Sequence, residues 1–432
     1  MVSGDTPVAA ISFWDICPTR ALNDVVRYRG YKVETIVEVE QVDVLIVGSG
    51  PSGISTALHL VQADPSWAER IVVVDKAVHP REKLCGGGVT HLGTDVLAHL
   101  GLRFEPQHFT VREVKLVYED KSYSILGNPA FRITRRDEFD HWLVRVGEER
   151  GIRVRQNEAV KEIEVGDEYV AVITERSVFH ARIVVGADGS RSFVRSRLKW
   201  DDDSRVARLL EVLTPEDSQR QVEFKNGIAV FDFTPMKQDL QGYYWDFPSY
   251  VEGKPFMNRG VFDSRARPER EKASLVDVLD SSMEERQRRL KDYKLKGHPI
   301  RWFDPRGRFA VPRVLLVGDA AGADPLFGEG ISFALGYGEV AAAAIADAFE
   351  REDFSFSTYG RRLLQHRLFR HLKMRTRVAR KAYLLNYPWL VRLGWLLARF
   401  LIRFTRWRDR DYQPGDAPRL LNGTQIFRIN PD

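Results

Sequence analysis

VDVLIVGSGPSGISTALHLV, running from Val42 to Val61, decides the fold. It reads as a buried strand, then a glycine turn, then a helix. Gly48, Gly50 and Gly53 make G-x-G-x-x-G across the junction. Gly48 allows the tight turn, Gly50 lets the backbone approach a pyrophosphate, and Gly53 lets the helix pack close to the strand. The start of the helix, with Pro51 and Ser52, offers free N–H groups and a partial positive charge to phosphates. RIVVVDK, Arg70 to Lys76, is the next strand, and Asp75 at its end lies 22 residues beyond Gly53, placed to accept from a ribose hydroxyl. Lys76 joins the same candidate site. Strand, helix and strand form a βαβ unit of ordinary length, so a doubly wound parallel sheet binding a dinucleotide is expected. The plain alternative is a merely structural glycine turn.

The bulk numbers agree with a folded protein of two lobes. The chain has 432 residues, 44% of them hydrophobic and 29% charged. Its two cysteines, Cys17 and Cys85, cannot make a disulfide framework, which points to a reducing cytosol. No C-x-x-C or H-E-x-x-H spacing occurs, so no metal site is expected. The sequence shows no basic n-region with an apolar core and no apolar run of spanning length, so neither a secretory signal nor a membrane span is expected. The net charge of +5 is unevenly spread: Arg361 to Arg410 holds 15 Lys and Arg against one acid, Asp409.

Residues 1–41 carry weak signals and read as an N-terminal extension. The stretch from Lys161 to Ser190 alternates short β-rich runs with turns and ends on a buried strand, Ile183 to Val185. Residues 204–300 mix β segments with a polar helical stretch around Glu284 to Tyr293. RVLLVGDAAG is a last buried strand and turn, and GISFALGYGEVAAAAIADAFE is a strong helix. The expected organisation is α/β: a Rossmann-like FAD-binding domain of residues 42–104, 131–203 and 301–350. Into it is inserted an antiparallel-sheet substrate domain of 105–130 and 204–300. A basic helical region, 351–432, follows.

FAD is the implied dinucleotide because two later turns also follow buried strands: GADGSRS, Gly186 to Ser192, and VGDAAGADPLFGEGI, Val317 to Ile331. Either alone could be a simple turn. With the first, they resemble the three fingerprints of FAD-dependent enzymes of the para-hydroxybenzoate hydroxylase type. That resemblance implies that Asp188 and Gly189 of the second turn, and Gly318, Asp319, Gly328, Gly330 and Ile331 of the third, bind the cofactor, Asp319 accepting from a ribityl hydroxyl. RITRRDEFDHWL resembles the superfamily's R-x-x-F-D-x-x-L helix, which brings Arg136 to the flavin nucleotide; otherwise Arg136 is a solvated helix arginine.

Two further elements narrow the resemblance. REKLCGGGVT, Arg81 to Thr90, contains K-x-C-G-G-G, and GYYWDFP, Gly242 to Pro248, fits G-Y-x-W-x-F-P. Together they resemble the geranylgeranyl reductase family, FAD enzymes that saturate double bonds of prenyl chains, over about Val42 to Glu350. The chain departs from that family's N-x-G-x-G element at NRGVFD, Asn258 to Asp263, which lacks the second glycine. Tyr243, Trp245 and Phe247 alternate along a strand and share a face that can line an apolar tunnel, with Pro248 at its end; the alternative is an aromatic core stripe. Gly86, Gly87 and Gly88 let the backbone run against a flat ring. Cys85 beside them is implied as a flavin-adjacent residue that donates the proton or positions substrate and water, against the alternative of a small buried hydrophobe.

PWLVRLGWLLARFLIRFTRW, Pro388 to Trp407, sets Arg392, Arg399 and Arg403 on one helical face and suits a membrane interface. The basic run upstream adds attraction to anionic lipid. Peripheral membrane contact through 361–410, on the cytoplasmic inner face, is therefore expected; the alternative is a helix packed on the protein itself. Nucleic acid is not expected, for no such module accompanies the charge.

The expected function is an FAD-dependent reductase saturating carbon–carbon double bonds of a prenyl lipid or diphosphate. NADPH or a ferredoxin-like redox partner would be the reductant. The alternative enzyme is a flavin monooxygenase or halogenase, to whose W-x-W-x-I-P the YYWDFP motif is a distant echo. A flavin-bearing electron carrier is the non-catalytic alternative.

Overall fold

The structure, a computed structural model, describes residues 37–198, 200 and 205–382, with 25–26 and 394 besides. Cys17, most of the N-terminal extension and the 388–407 stretch lie outside the described residues, apart from Gly394.

The chain forms two large sheets. In the first, strands Val314–Leu316, Val178–Gly186, Val37–Val47, Ile71–Val74 and Arg153–Arg155 run parallel in that spatial order. Val44–Ile46, Ile71–Val74, Ile183–Val185 and Val314–Leu316 are fully buried, which is why they read as continuous apolar runs rather than alternating ones. Val160–Val165 and Val170–Thr174 extend this sheet antiparallel. Helices Pro51–Ala63 and Ile331–Arg351 cover a face together. A Cβ at Gly338 would lie 2.5 Å from Ser55 Oγ, so this glycine lets the two helices touch, and Ser55 Oγ donates to the Leu335 carbonyl at 2.8 Å. Among the described residues, Ile331–Arg351 is the one helix long and apolar enough to cross a membrane; 78% of its apolar window lies inside the protein.

The second sheet has eight strands, ordered Lys296–Arg301, Val206–Pro215, Lys254–Asp263, Gly242–Val251, Ile228–Asp232, His108–Tyr118, Lys121–Thr134, Gly88–Thr90. It is antiparallel as expected, save for a parallel pair between Ile228–Asp232 and His108–Tyr118. Gly88–Thr90, expected in the nucleotide lobe, is an edge strand here, and Lys121–Thr134 carries this sheet beyond residue 130.

The two faces of Gly242–Val251 have separate uses. Tyr244 packs with Val212, Val261, Val278, Leu279 and Met283 under helix Leu275–Glu284. Tyr243, Trp245 and Phe247 point the other way, toward the cavity described below. Leu275–Glu284 also corrects the expectation of a helix around Glu284 to Tyr293, where only a short 3-10 turn, Leu290–Asp292, occurs. Ser274 caps the true helix, accepting from Asp277 N, and the run after Glu284 buries only Leu290 and part of Tyr293 against it.

In the described part of the basic block, helix Arg367–Ala382 turns Leu368, Phe369 and Leu372 wholly inward, with the Phe369 ring 4.4 Å from that of Tyr337. A Cβ at Gly336 would sit 2.2 Å from Leu368 Cδ1. This half of the block packs on the protein itself.

Candidate active site

A cavity of about 680 Å³ opens where the C-terminal ends of the parallel strands meet the aromatic face of the second sheet. That junction is where open α/β sheets bind ligands. One end is polar, the other apolar.

The polar end is built by the first turn. Gly48 has φ +110°, and a Cβ there would lie 2.4 Å from the Ala187 carbonyl oxygen. A Cβ at Gly53 would come 2.0 Å from Gly48 O, the close packing expected of it. Gly50 instead faces the cavity, with nothing nearer a Cβ than Arg81 Nη2 at 3.6 Å. No side chain caps helix Pro51–Ala63 at Gly50, so its first N–H groups are on offer to an anion. Asp75 accepts from Ser49 N at 2.8 Å, Ser49 Oγ at 2.7 Å and Ala77 N at 2.9 Å. Burial pushes its carboxyl up, but these bonds outweigh burial and hold it below the usual range, hence ionised. Because Ser49 gives its proton to Asp75, His79 Nε2, 2.7 Å from Ser49 Oγ, is the donor in that pair. Glycine cradle, uncapped helix start and ionised terminal carboxylate fit a dinucleotide.

Pro51, Ser52, Lys76, Gly189, Gly328, Gly330 and Ile331 also line the cavity. Gly53, Gly318 and Pro248 do not. A Cβ at Gly318, where φ is +60°, would strike Ser52 Oγ at 2.4 Å, so this glycine serves packing. Pro248 pairs with Met257 on the face opposite Phe247; period-two alternation takes it out of the expected tunnel wall. Asp188 lines the cavity, yet its oxygens accept from Ser192 Oγ, Phe193 N and Val194 N at 2.5, 2.6 and 3.0 Å, starting the short helix Phe193–Arg197. Arg136 is not solvated: Asp140, itself wholly buried, holds it at 2.7 and 2.8 Å, with Arg81 3.3 Å from the same carboxylate.

One polar cluster joins residues of three separate motifs to His298, which no motif marked. Lys83 Nζ lies 2.7 Å from His298 Nε2 and 3.8 Å from Asp319, and Ser190 Oγ is 3.0 Å from the same imidazole nitrogen. Burial first, then Lys83, pushes His298 down to about 4, so the imidazole is neutral and accepts. The partners lie on four separate segments, so no single motif shows that they meet.

Cys85 joins the two ends. It is partly exposed, lines the cavity, and its Sγ accepts from Gly87 N at 3.4 Å. Burial pushes the thiol up and the Arg136 charge offsets this only in part, so it stays protonated at neutral pH. Gly87 has φ +78°, and a Cβ would meet the Thr134 carbonyl at 2.1 Å; a Cβ on Gly86 would press on the Phe247 ring at 3.2 Å, whereas one on Gly88 would make only ordinary contact with Phe131 at 3.5 Å. Close packing within the protein thus accounts for glycine at Gly86 and Gly87, and all three positions line the cavity.

The apolar end is walled by Tyr243, Trp245 and Phe247 with Phe131, Phe231 and Phe262. Trp245 Nε1 donates to Asn258 Oδ1 at 2.9 Å, and Asn258 Nδ2 donates to the Cys85 carbonyl at 3.2 Å. A Cβ at Gly260 would fall 2.3 Å from the Trp245 ring, so that glycine makes the ring's room. Phe262 occupies the place of the missing second glycine and lines the cavity against Gly328.

Two buried charged groups were not foreseen. Arg375 reaches from the basic helix to Asp324 at 2.7 Å and Glu329 at 2.5 Å, and Glu329 also accepts from Thr90 Oγ1 at 2.6 Å. The loop carrying Gly328 and Gly330 is thereby tied to the C-terminal region. Glu211 sits behind the Cys85 loop with Oε2 unpartnered, and burial pushes its carboxyl up to about 7.

Fold and site together define an FAD-binding oxidoreductase. The chain belongs to the FAD binding domain family, which it matches over residues 41–335. It is similar to digeranylgeranylglycerophospholipid reductase 2 of Methanopyrus kandleri, 28% identical over 350 residues, covering 73% of this chain and 79% of that one. Menaquinone reductase of Mycolicibacterium smegmatis is 26% identical over 329 residues, covering 69% and 75%. A solved geranylgeranyl bacteriochlorophyll reductase-like protein from Thermoplasma acidophilum shares the fold, with TM-score 0.65 and 19% identity over 80% of this chain and 87% of that one.

Proposed function

We propose that the protein saturates carbon–carbon double bonds of a prenyl lipid or prenyl diphosphate. The observation that carries this reading is one cavity in which a protonated thiol, Cys85, stands between a dinucleotide cradle and a wall of aromatic rings. The names of the similar reductases support it. Reduced FAD would supply the hydride that a double bond needs. The chain's own residues do the rest. Tyr243, Trp245 and Phe247 hold hydrocarbon and exclude water. Cys85 gives its Sγ proton to the carbon that does not take the hydride, and the thiolate recovers a proton from solvent. Asp75, Arg136 and Asp319 orient the cofactor. NADPH or a ferredoxin-like partner reduces it. Contact with the inner face of the membrane, through 361–410, brings enzyme and lipid together; one face of the described helix packs inward, and its exposed face carries Arg370, Arg377 and Lys381.

The test is anaerobic. Dithionite-reduced protein is given prenyl diphosphates and polyprenyl lipids, and products heavier by roughly 2 mass units, one hydride and one proton, are sought. Turnover only with O₂ and NADPH would replace reduction with oxygenation.

A further inference from the structure

Glu211 is a buried acid whose place in the fold no structural task explains. The strand register sets it in one row with Lys296 on one side and Gly260 and Trp245 on the other. It shares the sheet face that carries Leu209 and Phe262 into the cavity. Glu211 is 5% exposed, and its Oε2 has no hydrogen-bond partner. Each cation near it is engaged elsewhere: Lys296 with Glu82, Lys83 with His298 at 2.7 Å, and Arg135 with Asp137 at 2.8 Å. What the carboxyl does face is the Cys85 N–H and the amide of Asn258, which donates to the Cys85 carbonyl at 3.2 Å. A buried acid so poorly paired is a cost that a neutral side chain of the same shape would avoid.

We infer that Glu211 guards the proton on Cys85: from behind the thiol loop its carboxylate offsets the pull of two cavity cations, Arg136 and Lys83, and so keeps Sγ a donor. Glu211 is a positioning residue, and this rests on the reading of Cys85 as the proton source. Burial is the first influence that holds the proton on the sulfur. Arg136 and the Gly87 N–H oppose it, Glu211 acts with it, and Lys83 opposes it again. Asp140 and Asp319, the partners of those two cations, temper them. The Glu211 carboxyl ionises at about 7. Its charge is therefore in place over the alkaline range in which a thiol loses its proton, and absent below it, where the thiol needs no help.

The experiment uses FAD-loaded protein and Glu211→Gln, which removes the charge and keeps the shape. Alkylation by iodoacetamide is followed at Cys85 by peptide mass spectrometry, which separates it from Cys17, at a series of pH values. Only the thiolate reacts. The variant should alkylate about tenfold faster than wild type near pH 8, and the two profiles should converge below about pH 6, where both side chains are uncharged. The alkaline fall of the rate on alkenes should likewise begin at lower pH in the variant. An unchanged alkylation profile overturns the inference and leaves the prenyl reading standing. So does an acceleration equal at every pH, which would report a loosened loop. The pH-dependent gain in a protein that reduces no alkene would establish the hold on the thiol proton and overturn the prenyl reading instead.

Discussion

Asn258 holds Trp245 by its indole N–H at 2.9 Å, and with its amide nitrogen it reaches the Cys85 carbonyl at 3.2 Å. The aromatic wall and the thiol loop are thus one hydrogen-bonded unit, although their residues lie far apart in the chain. Asn258→Leu leaves a buried indole N–H and the Cys85 carbonyl unpaired. It should cost about 1–3 kcal/mol of stability and slow turnover while FAD remains bound, as thermal unfolding and flavin content on one sample will show.

The glycines of the first turn have different duties. Gly48→Ala meets both a left-handed φ and the Ala187 carbonyl, so the protein should fail to accumulate folded. Gly50→Ala has room in the fold and projects into the cavity. It should fold, with normal circular dichroism, and bind FAD weakly. Tight FAD binding by Gly50→Ala would remove the nucleotide from this turn.

Cys85→Ala should retain FAD and lose rate on alkenes by about 10²-fold or more, the usual worth of a positioned acid. Because burial holds the thiol protonated, the wild-type rate should stay level across neutral pH and fall only above the usual thiol range. An unchanged rate in the alanine variant would make Cys85 structural.

Glu211 gives a stability prediction with a definite sign. Its carboxyl rises from the usual 4.5 to about 7 on folding, chiefly through burial. Between those values the unfolded chain has lost this proton and the folded one keeps it, so raising the pH weakens the fold, and above about 7 the penalty is constant. Glu211→Gln should therefore be more stable than wild type at pH 8, by up to about 3 kcal/mol, and equal to it near pH 4. Denaturant titrations at the two pH values decide it.

Arg375→Met strips two buried carboxylates of their shared cation. Breaking such a pair costs about 3–5 kcal/mol, and the freed loop at Gly328 and Gly330 should release FAD faster, measured by flavin fluorescence after dilution. Truncation after Asn386 leaves this tie in place. It should move the protein from the membrane fraction to the soluble one, and no shift would count against contact through 388–407.

The sequence by itself determined the nucleotide lobe. Its strands are buried on both faces, so they read as unbroken apolar runs, and its first turn is closed by a local contact, Gly53 against the Gly48 carbonyl. The alternation of Tyr243, Trp245 and Phe247 was equally local, and it placed them on one face without the fold. Tertiary structure alone decided which residues meet across segments. It drew His298 to Lys83, Asn258 to Cys85 and Arg375 to Glu329. The physical reason is common to all of these. A period or a turn is written in neighbouring residues, whereas a buried charge or hydrogen bond finds its partner only after separate strands have packed.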